Sequence, residues 1–343
     1  MSWKMPAETA PQDRVWMAFP VANESFEVMS EDAQIARGAW SAVANAIVQF
    51  EPVTMVVDPS ERNHATKFLS SDVELIEAPL DDCWMRDMGP TFVLDENGSL
   101  GAIDWIFQGW GAQDWSSWNK DAQIASFVAD AAGVPALSSL LVNEGGALHV
   151  DGLGTVIITE TVQLDRDRNP YADKARVEAE LARTLGASHV VWLPRGLTRD
   201  YEKYGTRGHV DMIAAIPSPG TLLLHAQPNP SHPDHEVMKA VRRHLESTTD
   251  AAGRPWTIID LPAPDVLTDD VGFVDYNYVN HLVVNGGVIA CGFGEPAADA
   301  RARAILADAY PGRDVVTIDA RPIFDVGGGI HCITQQQPSA ITR

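Results

Sequence analysis

The apolar positions of this chain recur as a unit. Two short alternating runs meet at a tight turn, a stretch with four-residue apolar spacing follows, and a further apolar run closes the set. The first unit pairs Thr91-Phe92-Val93-Leu94 with Leu100 to Trp105 across Asp95-Glu96-Asn97-Gly98. A helix is then predicted over Asp121 to Ala132 and a strand near Leu140. The second unit runs Ala147 to Val150, turns at Asp151-Gly152, and returns as Thr155 to Ile158. Its helix spans Asp173 to Leu185, with Val177, Leu181 and Leu185 on one face, and Val190 to Leu193 closes it. The third runs Val210 to Ile216, turns at Pro217 to Gly220, returns as Thr221 to His225, starts a helix at Pro233 and ends on Trp256 to Leu261. The fourth runs Tyr278 to Val284, turns at Asn285-Gly286-Gly287, returns as Val288 to Phe293, and adds a helix (Ala297 to Ala309) and a strand (Val315 to Ile318).

A fifth unit is split across the two ends. Ile330 to Gln335 supplies one strand, Arg14 to Phe19 its partner, Glu31 to Phe50 the helix and Val53 to Val57 the last strand. An extra helix and strand, Glu61 to Leu69 and Val73 to Ile76, lead into the first unit. The expected fold is α/β: five ββαβ repeats closed into a five-bladed α/β propeller. Residues 1–343 then form one domain whose termini share a blade. A plain α/β sheet is disfavoured, because the recurring element is a hairpin plus helix.

Composition narrows the function. Asp and Glu outnumber Lys and Arg by 47 to 25, a formal net charge of −22, and no basic stripe appears, so nucleic acid is excluded as a partner. That field keeps the chain soluble and would also steer a cationic substrate. No run reaches the length of a membrane span, and Met1 to Arg14 lacks the apolar core of a signal peptide. Cys83, Cys291 and Cys332 show no paired spacing, so neither a disulfide framework nor a zinc site is expected, and a cytoplasmic location is.

The conspicuous polar residues fall at one register of the repeat, the start of each unit's first strand. They are Asp87 in Trp84-Met85-Arg86-Asp87, Glu144 in Asn143-Glu144-Gly145-Gly146, and His209 and Asp211 in Gly208-His209-Val210-Asp211. Asn280 and Cys332, the latter after Gly327-Gly328-Gly329, complete the set. In a closed ring these positions converge. Singly each has a bland reading: Asp87 a turn residue, Glu144 loop chemistry, His209 a structural histidine, Cys332 a small hydrophobe. Cys291 takes that last reading, and Cys83 stands open. Trp105, Trp110, Trp115 and Trp118 either wall a pocket or pack. Asp165 to Asn169 has half the pattern of a calcium loop but lacks its glycine and final glutamate.

With these motifs, and with Trp192-Leu193-Pro194-Arg195-Gly196 and Gly328-Gly329-Ile330-His331-Cys332-Ile333-Thr334-Gln335, the whole chain resembles the agmatine deiminase family. That family includes the bacterial-type peptidylarginine deiminases and belongs to the guanidine-modifying, or pentein, superfamily. The resemblance implies a five-bladed propeller that hydrolyses a guanidinium to a urea and ammonia, without a metal or organic cofactor. By the same resemblance Cys332 is the nucleophile and His209 the general acid and base. Asp87 and Asp211 grip the guanidinium, and Glu144 contacts it or orients His209. Trp84, Asn280 and Gly329 line the substrate site. A small cationic guanidino compound is the implied partner, and a homodimer the implied assembly.

The segment before Gly208 departs from the acidic run usual in that family. It reads Asp200-Tyr201-Glu202-Lys203-Tyr204-Gly205-Thr206-Arg207. Arg207 either binds a substrate carboxylate or belongs to the surface. Agmatine is therefore the first expected substrate and another guanidino compound, such as a guanidino acid, its competitor. An amidinotransferase and a non-catalytic binding propeller are the remaining alternatives.

Overall fold

The computed structural model describes residues 2–23 and 31–341. Within them the strands form five sheets. Each of the middle three holds an antiparallel pair and a parallel third strand: His149–Val150, Thr155–Thr159 and His189–Leu193; Ala214–Ser218, Thr221–Ala226 and Thr257–Pro262; Leu282–Val284, Gly287–Gly292 and Asp314–Asp319. The first sheet has the same core in Thr91–Asp95, Leu100–Ile106 and Ala136–Val142, with Trp3–Lys4 added at its edge. The fifth joins the ends of the chain. Thr334–Pro338 runs antiparallel to Gln12–Ala18, which pairs in parallel with Val53–Val57, and Glu74–Glu77 follows.

The sheets touch in a closed succession. Thr334–Pro338 of the fifth meets Thr91–Asp95 of the first, His149–Val150 of the second meets Ala214–Ser218 of the third, and the helix Pro296–Ala309 bridges the third and fourth. The helix Lys174–Leu185 of the second unit packs against Ala136–Val142 of the first, and the helix Glu31–Ile47 packs against strands of the fourth, completing the circuit. Apolar helix faces seal the blades from outside. In Lys174–Leu185, Asp173 accepts the Arg176 N–H at 2.9 Å, Gly186 ends the helix at φ 70°, and Val177, Leu181 and Leu185 are buried.

The structure corrects the expected strands at the place that matters for function. Val210–Met212 is one turn of 3-10 helix, Gly145–Ala147 is another, Met85–Met88 is a helical turn, and Ile330 to Ile333 is a turn. The strand expected from Thr91 begins there, whereas the others begin later than expected, at His149, Ala214 and Thr334, and the fourth at Leu282 rather than Tyr278. Val210, Ile330 and Ile333 are each 0 % exposed. Their apolar pattern reports burial, which a buried turn shares with a buried strand. Each turn tilts its polar residue out of the sheet direction and into the ring.

Ring closure also fixes Gln335. Its Oε1 accepts from Arg86 Nη1 at 2.5 Å and its Nε2 donates to the Pro90 carbonyl, tying the last strand to the first unit. Gln335→Ala would leave a buried guanidinium donor and a buried carbonyl unpaired. It is expected to cost about 2–3 kcal/mol of stability. The lower urea midpoint checks this, and an unchanged midpoint would show that water satisfies both groups.

Candidate active site

The buried turns bring the predicted residues together. Cys332, His209, Asp87, Asp211, Glu144 and Asn280 are all at most 4 % exposed. Asn280 holds the cysteine: its Oδ1 accepts the His331 N–H at 2.9 Å and its Nδ2 donates to Cys332 Sγ at 3.2 Å. The thiol lies 3.5 Å from Asp211 Oδ2. His209 Nε2 sits 3.3 Å from Glu144 Oε2, and its Nδ1 is 3.7 Å from Asp87 Oδ1. Asp87 is aimed by two donors, the Gly146 N–H at 3.0 Å and the Trp110 indole at 2.8 Å.

The glycines in these turns make space. A Cβ on Gly146 would lie 2.5 Å from His209 Nδ1, 2.9 Å from Asp211 Oδ2 and 2.9 Å from Asp87 Oδ1. One on Gly328 would lie 3.1 Å from Cys332 Sγ and 2.6 Å from the Trp84 ring. Gly329 lets Asn280 approach, since its Cβ would fall 2.4 Å from Asn280 Oδ1. The result is a close convergence of two carboxylates and an imidazole on Gly146, with the thiol 3.5 Å from Asp211 Oδ2. Two atoms of this cluster, His209 Nδ1 and Asp211 Oδ1, are buried without a hydrogen bond among the described residues. Unpaired polar atoms at this depth are costly unless something polar is received there.

Several supports carried no signal of their own in the sequence. Arg168 Nε lies 3.0 Å from Glu144 Oε1, so Glu144 is fixed between a guanidinium and His209. Arg168 comes from the stretch with half a calcium pattern, whose Asp165 instead accepts from Arg168 and Arg207 at 2.9 Å each. His331, beside Cys332 in the quoted motif, bridges Asp211 Oδ2 (2.9 Å) and Glu8 Oε1 (2.8 Å) through its two ring nitrogens. Since a carboxylate can only accept, both nitrogens must donate, and the ring is cationic. Glu8, in the segment before the first long strand, could have been found by no periodicity. Asp200 accepts the Gly208 N–H (2.6 Å) and the His209 N–H (3.1 Å), so it clamps the His209 turn.

Arg207 does not face the cluster as a free cation. Its Nη1 is held by Asp165 (2.9 Å) and Asp167 (2.8 Å). Cys83 is a buried thiol against Asp82, and Cys291 a buried thiol donating to the Asn280 carbonyl at 3.1 Å; burial raises both pKa values, that of Cys291 to about 12.

Burial opposes every charge in the cluster, and neighbours decide the sign. Burial and then Asp211 and Asp87 push the Cys332 thiol well above its ordinary pKa. Burial disfavours charge on His209, yet Asp87 and Glu144 outweigh it and raise the imidazole to about 9. Burial raises Asp87 to about 6 against the pull of His209. Glu144, though buried, is lowered by Arg168 and His209, and Asp211 by His331 and His209. At neutral pH the resting site thus holds a thiol, an imidazolium and three carboxylates. Such a set can grip a planar cation, attack its carbon with sulfur and protonate a leaving nitrogen.

The comparisons with known proteins agree over the full length. A Streptomyces coelicolor relative is 53% identical over 339 residues, 98% of this chain and 99% of its own. The agmatine deiminase of Pseudomonas fluorescens is 38% identical over 358 residues, 98% of this chain and 95% of its own. The structure of the agmatine deiminase of Enterococcus faecalis superposes with a TM-score of 0.93 at 29% identity, covering 99% of this chain and 97% of that one. The sequence profile of the Porphyromonas-type peptidyl-arginine deiminases matches residues 4–338, and with these relatives it shows that the chain belongs to that family.

Proposed function

We propose that this chain is a guanidine iminohydrolase that converts agmatine to N-carbamoylputrescine and ammonia. The observation that carries the reading is the cluster at Gly146, where Asp87, Asp211 and His209 converge on one point and Cys332 Sγ lies 3.5 Å from Asp211 Oδ2. The names of the Pseudomonas and Enterococcus relatives supply agmatine as the substrate. Three unpaired buried cysteines suit a reducing, cytoplasmic setting. Among the described residues, no helix is long and apolar enough to cross a membrane.

In this mechanism Asp87 and Asp211 take the N–H edges of the guanidinium and set its carbon against the sulfur. The incoming positive charge offsets the carboxylates that hold the thiol protonated, and Cys332 ionises, releasing its proton to solvent. Attack forms the C–S bond. His209, an acid at neutral pH, delivers its proton to one nitrogen, the C–N bond breaks, and ammonia leaves. The neutral imidazole then takes a proton from water as its oxygen attacks the same carbon. The C–S bond breaks, the thiol is regenerated, and the ureido product departs. Glu144 and Arg168 keep His209 in register, and Asn280 keeps the sulfur in place. Trp84 and Gly328 form the wall beside the thiol.

Three outcomes are expected. Cys332→Ser lowers turnover of agmatine by about 10⁴-fold or more, measured as released ammonia, and calorimetry still detects agmatine binding. The pH profile of kcat/KM is a bell. Its acid limb falls as pH drops through about 6, where Asp87 takes up a proton and loses its grip. Its alkaline limb falls as pH rises through about 9, where His209 loses the proton it must deliver. A profile flat from pH 5 to 10 would contradict both assignments. Finally, His331→Asn removes the cation that lowers Asp211, so kcat/KM should fall about 10- to 100-fold and the acid limb should move to higher pH. A loss of activity with the limb unmoved would mark His331 as a packing residue only.

A further inference from the structure

Glu8 lies between the short strand Trp3–Lys4, which pairs with Thr91–Asp95, and the strand Gln12–Ala18. A segment near a chain end is ordinarily loose unless it is tied down. This one is tied on both sides of Glu8, to three units of the ring. The Met5 N–H donates to the Leu185 carbonyl at 3.0 Å, and Gly152 leaves room for Ala7, whose nitrogen a Cβ there would approach to 2.5 Å. The Thr9 carbonyl accepts from Arg313 Nη2 at 2.8 Å. Gln12 Nε2 donates to the Glu8 carbonyl at 2.8 Å and to the Val283 carbonyl at 3.0 Å. The anchored segment carries one acid into the interior, with Glu8 only 7 % exposed.

The groups around that carboxylate are unequal. Its Oε1 is 2.8 Å from His331 Nε2 but 3.8 Å from His149 Nδ1 and 3.9 Å from Arg86 Nη1. His149 accepts the Ile216 N–H on Nε2 at 2.7 Å, and burial lowers its pKa, so that ring is neutral. His281 is engaged by the Tyr278 carbonyl and the Tyr310 hydroxyl and is neutral too, its pKa lowered by burial to about 4. Arg86 donates Nε to the His331 carbonyl and Nη1 to Gln335. The close partner of Glu8 is therefore His331. Burial, then Arg86, opposes a charge on His331; Glu8 is the first of the groups that favour it and Asp211 the next, and together they raise its pKa. On its other side His331 Nδ1 donates to Asp211 Oδ2 at 2.9 Å, the oxygen that lies 3.5 Å from Cys332 Sγ. With Glu8 neutralised, Arg86 would repel the ring's charge without opposition. The ring would lose a proton, and one of its nitrogens would turn from donor to acceptor. Asp211 would keep His209 and Arg86 but lose the nearest cation that holds it ionised against burial and the neighbouring Asp87 charge.

We propose that Glu8 is a positioning residue of the guanidinium site: it holds His331 protonated on both nitrogens, and through that ring it keeps Asp211 ionised beside the thiol. The N-terminal segment is thereby a working part of the site as well as an edge of the ring. Glu8 acts through His331 and touches neither the sulfur nor the substrate. The reaction it serves rests on the deiminase reading, whereas the charge on His331 does not.

The test is Glu8→Gln, which keeps the shape of the side chain and removes its charge. Nitrogen-15 spectra of histidine-labelled protein read the ring directly, the His331 signals being those lost in His331→Asn. In the wild type both His331 nitrogens should show the shift of a protonated imidazolium at neutral pH, and in Glu8→Gln one should move to that of a bare nitrogen. For agmatine, kcat/KM should fall about 10- to 100-fold in the variant. The acid limb of its pH profile should move to higher pH, because Asp211 then takes up a proton sooner as pH falls. Glu8→Asp, which keeps the charge, should recover part of both effects, and thermal melting establishes that each variant is folded. A bare His331 nitrogen in the wild type overturns the proposal without recourse to any variant. So does a ring that stays doubly protonated in folded Glu8→Gln, or an unchanged kcat/KM, or a fall in activity with the limb unmoved, any of which would leave Glu8 as an anchor of the segment only. If the wild type does not turn over agmatine, the deiminase reading fails on its own. The nitrogen spectra then decide the link from Glu8 to His331: a proton lost in Glu8→Gln supports it, and a ring unchanged overturns it.

Discussion

Asp87, Glu144 and Asp211 are buried within reach of one imidazole, and the electrostatics of that crowding governs the rest of the site. Carboxylates in a dry interior repel one another and tend to take up protons. Each here has a counter-charge from a different part of the chain: Arg168 at Glu144, His331 at Asp211, His209 at Asp87. Glu8 and Arg86 extend the cluster beneath Cys332, with Arg86 donating to the His331 carbonyl at 3.2 Å. Four carboxylates therefore stand against four cations. A thiolate would be the first uncompensated charge in the cluster, and this is why the resting thiol stays protonated. A guanidinium reverses the sign of that problem. The nucleophile and its electrophile each stabilise the charged form of the other.

Such a cluster needs a rigid frame, because every counter-charge acts over a few ångströms. The frame is the set of buried turns at the strand starts. A strand would alternate its side chains above and below the sheet. One helical turn instead lets Asp87, Asp211 and Cys332 project from backbone that is itself hydrogen-bonded across units. The Arg86 N–H donates to the Cys332 carbonyl at 3.1 Å, and the His331 N–H reaches Asn280. The position of the Cys332 sulfur is thus set by the first and fourth units as much as by its own, and substitutions that loosen ring closure should be felt there.

The repeat and the register of its polar residues were legible because both are local patterns. Paired apolar runs, turn glycines and four-residue spacings announced the blades, and the shared register announced Asp87, Glu144, His209, Asp211, Asn280 and Cys332. What stayed hidden was tertiary pairing. Arg168 follows an acidic stretch that looks like loop chemistry, and only the folded ring puts its Nε against Glu144. Glu8 has no periodic neighbours and reaches His331 across 323 positions. The strand assignments failed at Val210 and Ile330 because burial on all sides gives a turn the same apolar pattern as a strand. A glycine offers room for a neighbour and also conformational freedom. Gly327 uses it, at φ 112°, whereas Gly328 and Gly329 act by the room they leave for the Trp84 ring and Asn280.

Arg207 shows how an isolated motif leaves two readings open. Beside the Gly208-His209 turn, an arginine either takes a substrate carboxylate or belongs to the surface. In the folded chain it ends a row of alternating charges that begins at the buried Glu144 and runs outward through Arg168, Asp165, Arg207 and Asp167. Each member has an opposite neighbour at 2.8–3.0 Å, so a substrate carboxylate would have to displace two protein carboxylates to reach Arg207. The left-handed backbone at Arg207, φ 70°, aims the side chain along that row, and the loop facing it holds Trp110 and Ala112 in the same conformation. These two residues with Tyr204 and Arg207 are the left-handed non-glycine positions among the described residues, and all flank the mouth of the site. Packing of Trp115 on Tyr204 at 5.2 Å holds these left-handed backbones in place, and with them the arginine on its row of carboxylates.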